Sequence, residues 1–313
     1  MKSLLRFVAV CALLLALAIG ARRVFETAAA IPPPGSGEKD TLVDGVRWRS
    51  REIAGVGDVT VVFVHGLMAS SQSWRKVLAP ASRGRPAIAV DLPGSGYSAR
   101  PWPQDYSYGG QAAALLAFLD RRQIGRVALV GNSLGGATAM AVAASRPGRV
   151  AALVLVDPPT SSWEMPWTLH LLRAPVVGEL AGELACRPLF DLGFSHVLFA
   201  SGGRVSEETV DVYWRPITVT GTRRAALAAA RSNPAGLERI EAGVRVPTLV
   251  LWGRDDRLIP ASAGLGLSER IPGAKLVVLP DAGHIPQEEQ PEAFSREVAG
   301  FLDEALGPAG ASR

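Results

Sequence analysis

Residues 126–140 of this chain read Arg126-Val127-Ala128-Leu129-Val130-Gly131-Asn132-Ser133-Leu134-Gly135-Gly136-Ala137-Thr138-Ala139-Met140. An apolar run, a Gly-x-Ser-x-Gly sequence and an alanine-rich segment follow one another, which predicts a buried strand, a sharp turn and a helix. We expect glycine at 131 and 135 because a Cβ at either position would collide with the neighbouring strand or helix. The turn would point the Ser133 hydroxyl at the helix N-terminus, where free N–H groups favour developing negative charge. Ser133 is therefore the candidate nucleophile.

A serine hydroxyl needs a base within hydrogen-bond reach, and the base needs a carboxylate to orient it. His284 is the only histidine after the last predicted strand, which makes it the candidate base. Asp256 and Asp255 lie together in an earlier loop that also follows a strand, and either could supply the carboxylate. Asp157, after the strand that follows the Ser133 helix, is the third candidate for the acid.

An oxyanion formed at this serine would need two backbone N–H donors. The N–H of Leu134, directly after the serine, is the first candidate. The N–H of Leu67, in the loop after the predicted strand that ends at His65-Gly66, is the second. We interpret His65 as a structural residue whose ring fixes that loop, with a catalytic role as the alternative.

Buried strands and helical segments alternate along much of the chain, which is typical of an α/β fold with a mostly parallel central sheet flanked by helices. One or two antiparallel edge strands are predicted within 43–53. The buried strands are predicted at 59–64, from 87, at 126–131, 149–156, 246–253 and 274–279. Helical segments are predicted at 107–122, 134–140, 168–172, 188–199, 223–231 and 291–306.

The alternation divides the chain into a core and an insertion. Residues 31–40 are rich in proline and glycine and are predicted to form a linker. Residues 41–159 and 243–306 are predicted to form the α/β core, and 160–242, which have no strand-like run, a helical cap. Residues 307–313 form a small polar tail.

The predicted cap contributes apolar side chains that could wall a substrate pocket, since pockets are lined mainly by apolar and aromatic groups. The candidates are Trp163, Trp167, Tyr213 and Trp214, together with Asn132 beside the candidate nucleophile. The competing interpretation is that these aromatic residues form the cap's own core and its contact with the main domain.

Residues 1–30 have the pattern of a targeting segment, with a positively charged start and a continuous apolar run at 7–19. The run is shorter than the roughly 20 residues of a spanning helix and fits the core of a signal peptide. Arg22 and Arg23, directly after the run, fit an uncleaved N-terminal anchor nearly as well, and a buried core helix is the third interpretation. We therefore expect export or membrane association through residues 4–21.

Composition excludes several classes of function. The 313 residues carry a formal net charge of +4, with arginines scattered rather than gathered in a basic stripe, so nucleic-acid binding is not expected. The two cysteines, Cys11 and Cys186, cannot form a disulfide framework. The four histidines lie far apart, without the spacing of metal ligands, so no metal site is expected.

Taken together, the motifs resemble the cap-bearing branch of the α/β-hydrolase fold family, over residues 41–305. In that branch the acid is usually the last residue of a Gly-x-x-Asp motif, which implies Asp256 here, and the cap usually enters where residue 160 lies. The motifs that carry the resemblance are His65-Gly66, the Asp-Leu-Pro-Gly-Ser-Gly-Tyr-Ser turn at 91–98, Gly-Asn-Ser-Leu-Gly-Gly at 131–136, Trp-Gly-Arg-Asp-Asp-Arg-Leu-Ile-Pro at 252–260 and Gly-His-Ile-Pro at 283–286.

The resemblance implies a serine hydrolase of the lipase or esterase type that needs no cofactor. Dehalogenases and epoxide hydrolases of this branch use an aspartate nucleophile, and Ser133 argues against both. We predict cleavage of small-molecule esters with apolar, medium-chain acyl groups through an acyl-enzyme. A carbon–carbon bond hydrolase or a cofactor-free perhydrolase is the alternative, although many carbon–carbon hydrolases carry an aromatic residue where this chain has Ile285. A non-catalytic binding protein is the remaining alternative, against which the intact Ser, Asp and His set argues.

Overall fold

A computed structural model describes residues 30–184, 186–200, 205–231 and 236–310. Within those ranges, every helix is too short or too polar to cross a bilayer. The predicted targeting segment, apart from its last residue, and the last three residues of the predicted tail lie outside the described residues.

The core of the fold is one eight-stranded sheet with the order β1-β2-β4-β3-β5-β6-β7-β8. Strand β2 pairs antiparallel with β1 and β4, and every other neighbouring pair is parallel. The strands are β1 (Glu38–Val43), β2 (Val46–Ile53), β3 (Val59–Val64), β4 (Ala87–Val90), β5 (Arg126–Asn132), β6 (Val150–Val156), β7 (Thr248–Gly253) and β8 (Lys275–Leu279). The predicted fold class, a mostly parallel sheet with antiparallel strands at one edge, is confirmed.

The central strands are mostly apolar because both faces of the sheet are covered. Successive side chains of a strand point to opposite faces. Leu129 accordingly packs in one buried cluster, and its neighbour Val130 packs in a second cluster on the other face. The α-helices are α1 (Leu78–Ser82), α2 (Tyr108–Arg121), α3 (Leu134–Ser145), α4 (Trp167–Arg173), α5 (Val177–Leu184), α6 (Arg187–Gly193), α7 (Glu207–Thr218), α8 (Thr222–Arg231), α9 (Leu237–Gly243), α10 (Ala261–Arg270), α11 (Pro286–Glu289) and α12 (Pro291–Leu306). Helices α2, α3 and α10 contribute to the first cluster, and α1 and α12 contribute to the second.

The first strand begins earlier than expected, at Glu38, so the last three residues of the predicted linker belong to the sheet. The reason is an ion-pair network that the sequence pattern does not show. The buried guanidinium of Arg49 in β2 contacts the carboxylates of Glu38 and Asp40 across the β1–β2 ladder at 2.9 and 2.6 Å. It also donates to the carbonyl of Pro32, which ties the preceding segment to the sheet.

The described part of the segment between β6 and β7 contains the helices α4 to α9, which are joined by loops. Its first and last parts are joined by the buried carboxylate of Glu241 in α9. That carboxylate accepts from the N–H and the hydroxyl of Ser161, both at 2.6 Å, and pairs with Arg270 of α10 at 2.7 Å. We refer to residues 160–242 as the cap below.

Candidate active site

Ser133 sits at the apex of the turn between β5 and α3 with φ 53° and ψ −121°. Such a conformation is costly for a residue other than glycine and persists only where its surroundings fix it. A Cβ at Gly131 would lie 2.4 Å from the carbonyl oxygen of Gly135, and one at Gly135 would lie 2.1 Å from that of Val64. Both glycines are therefore required sterically, and the half-buried Ser133 lies at the C-terminal edge of the sheet.

His284 and Asp256 meet at the same edge. The Nδ1 atom of His284 lies 2.7 Å from Oδ2 of Asp256, and the two residues are 3% and 7% exposed. The other carboxylate oxygen of Asp256 accepts from the N–H groups of Leu258 at 2.7 Å and Ile259 at 2.9 Å. Because a carboxylate can only accept, Nδ1 carries the proton and Nε2 is left with a free lone pair, as a general base requires.

Asn132 connects the serine turn to the histidine loop. Its side-chain amide donates to the carbonyl of Val156 at 3.2 Å and to that of His284 at 3.1 Å. The adjoining residue, Gly283, approaches the end of β7 so closely that a Cβ on Gly253 would lie 2.0 Å from its carbonyl oxygen. The fold thus brings the Ser133 turn, the His284 loop and the Asp256 loop together, although they are far apart in sequence.

The loop after β3 lies directly beside the serine. A Cβ added to Gly66 would be 3.2 Å from the Cβ of Ser133, so Leu67 follows at the edge of the turn. Leu134 is the first residue of α3, and the first N–H groups of a helix have no partner within it. These positions suit the two predicted oxyanion donors, whose role stays a prediction.

His65 has the contacts of a structural residue. Its Nδ1 donates to the carbonyl of Gly66 at 2.7 Å, and its Nε2 accepts from the N–H of Leu92 at 3.1 Å. Complete burial lowers the pKa of His65, although the charge of Asp91 opposes this effect. A neutral ring that uses both nitrogens in this way fixes the loop after β3.

In the described part of the chain, neither of the other two candidate acids is hydrogen-bonded to the His284 ring. Asp255 is exposed, and its backbone N–H donates to the carbonyl of Ala282. Asp157 is fully buried, and its Oδ1 accepts from the N–H of Gly253 at 2.9 Å. Asp256 is the carboxylate that the structure places against the histidine.

Three of the four aromatic pocket candidates are buried or partly buried, and the fourth is exposed. Tyr213 is buried in the cap with its ring centroid 4.7 Å from that of Phe194, and Trp214 lies against Phe190 at 5.2 Å. Trp163 is partly buried against the main core. Trp167 differs from our expectation: it is 75% exposed, so it is not part of an enclosed pocket wall. Its place at the start of the short helix α4 leaves its ring in solvent.

Sequence reasoning missed two adjacent glutamates that join the cap to the site. Glu288 is buried, pairs with Arg75 and, at 3.1 Å, with Lys76, and lies 3.4 Å from the hydroxyl of Tyr213 in the cap. Glu289 accepts from the N–H of Gly283 at 2.6 Å and from that of Ala200 in the cap at 2.8 Å.

The cap also contacts the histidine backbone, since the N–H of His284 donates to the carbonyl of Leu198 at 2.9 Å. The two glutamates and this bond make the position of the histidine loop depend on the position of the cap. The sequence offers no local signal for this coupling beyond the presence of two glutamates soon after His284.

Comparison with known proteins agrees with this fold. The family model described as the alpha/beta hydrolase fold matches residues 59–291. A 2-hydroxy-6-oxo-2,4-heptadienoate hydrolase of Pseudomonas putida is 33% identical to this chain over 274 residues, which cover 83% of this chain and 94% of that protein. An uncharacterized hydrolase of Bacillus subtilis, YugF, is 28% identical over 271 residues, which cover 83% of this chain and 96% of that protein. The crystal structure of wild-type Cfl2 from Burkholderia cenocepacia matches with a TM-score of 0.72 at 26% identity, covering 84% of this chain and 95% of that one.

Proposed function

The chain belongs to the α/β-hydrolase fold family, and on that basis we propose that it is a serine hydrolase that cleaves carboxylic esters through an acyl-enzyme. The observation that carries the proposal is the 2.7 Å contact between His284 Nδ1 and Asp256 Oδ2, next to a strained serine. The amide of Asn132, directly before that serine, donates to the carbonyl of His284 and ties the two loops together.

In the proposed mechanism, Nε2 of His284 takes the proton of the Ser133 hydroxyl as its oxygen attacks the ester carbonyl carbon. The N–H groups of Leu67 and Leu134 stabilise the oxyanion. The imidazolium then gives its proton to the departing alkoxide, which leaves as the alcohol. Water attacks the acyl-enzyme by the same route and releases the acid and free Ser133.

The surroundings of the site favour an apolar acyl group. A buried apolar cluster extends from the cap to the immediate neighbours of the proposed catalytic residues. It includes Ile285, which follows His284, and Ala69, in the loop after β3. The cap contributes the other members, Phe194, Phe199, Val210 and Tyr213. Each methylene that is transferred to such surroundings contributes about 0.8 kcal/mol.

Several cations of the cap are already paired, which argues against a substrate that carries a carboxylate. Arg187 contacts Asp191 and Asp211, and Arg215 also contacts Asp211 at 2.8 Å. A carboxylate substrate that bound either guanidinium would have to compete with these aspartates.

Carbon–carbon bond hydrolysis is the second candidate function. The observation in its favour is the 33% identity to a hydrolase whose name specifies 2-hydroxy-6-oxo-2,4-heptadienoate. Ser133, His284 and Asp256 could serve either reaction, so the substrate that the cap admits decides between them. Perhydrolysis would use the same acyl-enzyme with hydrogen peroxide in place of water.

A panel of p-nitrophenyl esters from acetate to decanoate, run beside a vinylogous 1,5-diketone, tests the proposal. We expect kcat/KM to rise with acyl length by up to about fourfold per methylene through the medium chains, if the burial energy is realised in the transition state. Turnover of the diketone with no turnover of any ester would replace the proposal by the carbon–carbon reaction. A preference for acetate would reject the apolar acyl pocket.

The apolar run within residues 4–21 supports a further part of the proposal, that the enzyme is exported or anchored at a membrane. Fractionation of cells that express the full chain or a chain starting at residue 31 tests it. Only the full chain is expected outside the cytosol or with the membrane, and equal distribution of both would contradict it.

A further inference from the structure

Asp157 is a buried carboxyl that the proposed mechanism does not use. It follows β6 directly and has φ 45°, an unfavourable backbone conformation for aspartate. Its N–H donates to the carbonyl of Leu251 at 3.2 Å, and its Oδ1 accepts from the N–H of Gly253 at 2.9 Å. The ends of two neighbouring strands therefore fix this side chain in place, in a strained conformation that needs a reason.

The second carboxyl oxygen of Asp157, Oδ2, is buried and accepts from no donor in the described part of the chain. The loop that holds the other oxygen, Oδ1, also carries Asp256: the N–H of Gly253 binds Oδ1, and the carbonyl of Gly253 accepts from the N–H of Asp256 at 3.3 Å. Besides burial, the charge of Asp256 raises the pKa of Asp157, which agrees with a position close to Oδ2. Ionised carboxylates only accept hydrogen bonds, so these two can share one only when one of them carries a proton.

The hydrogen-bond donors around Asp157 and Asp256 indicate which of the two carboxyl groups carries the proton. The Asp256 carboxylate accepts from the N–H groups of Leu258 and Ile259 and faces Nδ1 of His284. Hydrogen bonds to the charged form favour that form. Among the described residues, Asp157 accepts from a single N–H, that of Gly253. The proton therefore belongs on Oδ2 of Asp157.

The electrostatic surroundings of Asp157 agree with this assignment. Burial, followed by the charge of Asp256, raises its pKa well above the ordinary value, and the N–H of Gly253 opposes this only in part. The more distant charge of Glu289 acts in the same direction as that of Asp256. The His284 ring contacts the Asp256 carboxylate through Nδ1.

We propose that Asp157 is a positioning residue that stays protonated, and that its Oδ2–H donates to the Asp256 carboxylate and fixes that carboxylate toward His284. The protonation state is inferred from the buried, unpaired Oδ2 beside the loop that carries Asp256, and it does not depend on the reaction. The catalytic consequence rests on the proposed function, because it requires Asp256 to orient the histidine.

Infrared spectroscopy of the full chain at neutral pH tests the protonation state without any turnover. We expect the carbonyl stretching band of a buried, protonated carboxylic acid in the wild type and its loss in Asp157→Asn. Glu289 is the matched control, because burial raises its pKa as well. Glu289→Gln should keep the Asp157 band. A wild-type spectrum without such a band, or a band that Asp157→Asn keeps, would overturn the proposal.

Kinetics on a p-nitrophenyl ester test the positioning role. Asn at 157 retains an acceptor for Gly253 and an N–H donor for Asp256, so Asp157→Asn should keep kcat within about threefold. Asp157→Ala removes the donor and should lower kcat by about tenfold or more at nearly unchanged KM, as expected when a hydrogen bond to a charged group is lost. An equal loss in both variants would show that an ionised Asp157 is needed and would reject the role. If neither variant retains structure by circular dichroism, the wild-type infrared band still decides the protonation state.

Discussion

Asp255 and Asp256 are neighbours in the chain but lie in opposite environments. The first is exposed, whereas the second is buried against His284. We predict that Asp256→Asn lowers kcat by about three to four orders of magnitude, because an amide favours the wrong tautomer of the histidine. Asp255→Asn, the matched control, should change kcat by less than a few-fold. Steady-state kinetics of both variants on one ester test this prediction. A larger loss of kcat in Asp255→Asn than in Asp256→Asn would assign the role of the acid to Asp255.

The raised pKa of Asp157 also makes a prediction for stability. As pH rises above about 4, the unfolded chain loses this proton while the folded chain keeps it, so the wild type loses stability. Asparagine at 157 cannot ionise. The unfolding free energy of Asp157→Asn relative to the wild type should therefore increase as pH rises from 4 to 7. Urea denaturation across that range measures it, and a difference that does not change with pH would contradict the raised pKa.

Local sequence identified Ser133 and His284 as site residues because each lies in a short motif with its own backbone requirement. Asp256 could be preferred over Asp255 only through the family resemblance, since two adjacent carboxylates look alike in a sequence. The contact between Asp157 and the N–H of Gly253, on which the proposed hydrogen bond to Asp256 rests, could not be predicted at all. It depends on the register between β6 and β7.

At the scale of elements, the approach of α3 to β3 depends on one glycine. A Cβ at Gly135 would lie 2.1 Å from the carbonyl oxygen of Val64, and backbone cannot move aside cheaply. Gly300, in the exposed face of α12, has no atom within 4 Å of the same position. Gly135→Ala should lower the unfolding free energy by about 3 kcal/mol, whereas Gly300→Ala should raise it by up to about 1 kcal/mol. Chemical denaturation of both variants measures this, and a neutral Gly135→Ala would refute the close approach.

Some elements were visible in the sequence and others were not. The predicted closing helix has the observed bounds of α12, Pro291–Leu306, and the predicted β3 has those of Val59–Val64. Helix α10 was missed because two glycines, Gly264 and Gly266, interrupt its pattern. One of them permits close packing, since a Cβ at Gly264 would lie 2.4 Å from the ring of Trp252. Helix α7 was missed as well, and it contains Pro216, a residue that normally marks a helix end.

At the scale of the whole molecule, the cap is joined to the core next to the proposed catalytic residues. Glu289 accepts from one N–H of the histidine loop and one of the cap. Glu289→Ala should lower kcat by about tenfold and make the cap more susceptible to limited proteolysis, because two charge-assisted hydrogen bonds are lost. Glu292→Ala, at an exposed position three residues later, is the control and should resemble the wild type. Unchanged kcat and unchanged proteolysis in Glu289→Ala would show that the cap and the histidine loop are not coupled.

The central claim is that Ser133 is the nucleophile of an ester hydrolase, and active-site labelling tests it most directly. A fluorophosphonate probe should add once per chain, as measured by intact mass, and peptide mapping should place the adduct on Ser133. Loss of ester hydrolysis should follow the extent of labelling, and Ser133→Ala should fold normally, bind no label and hydrolyse no ester. An adduct on a different residue, or full ester hydrolysis in Ser133→Ala, would contradict the account.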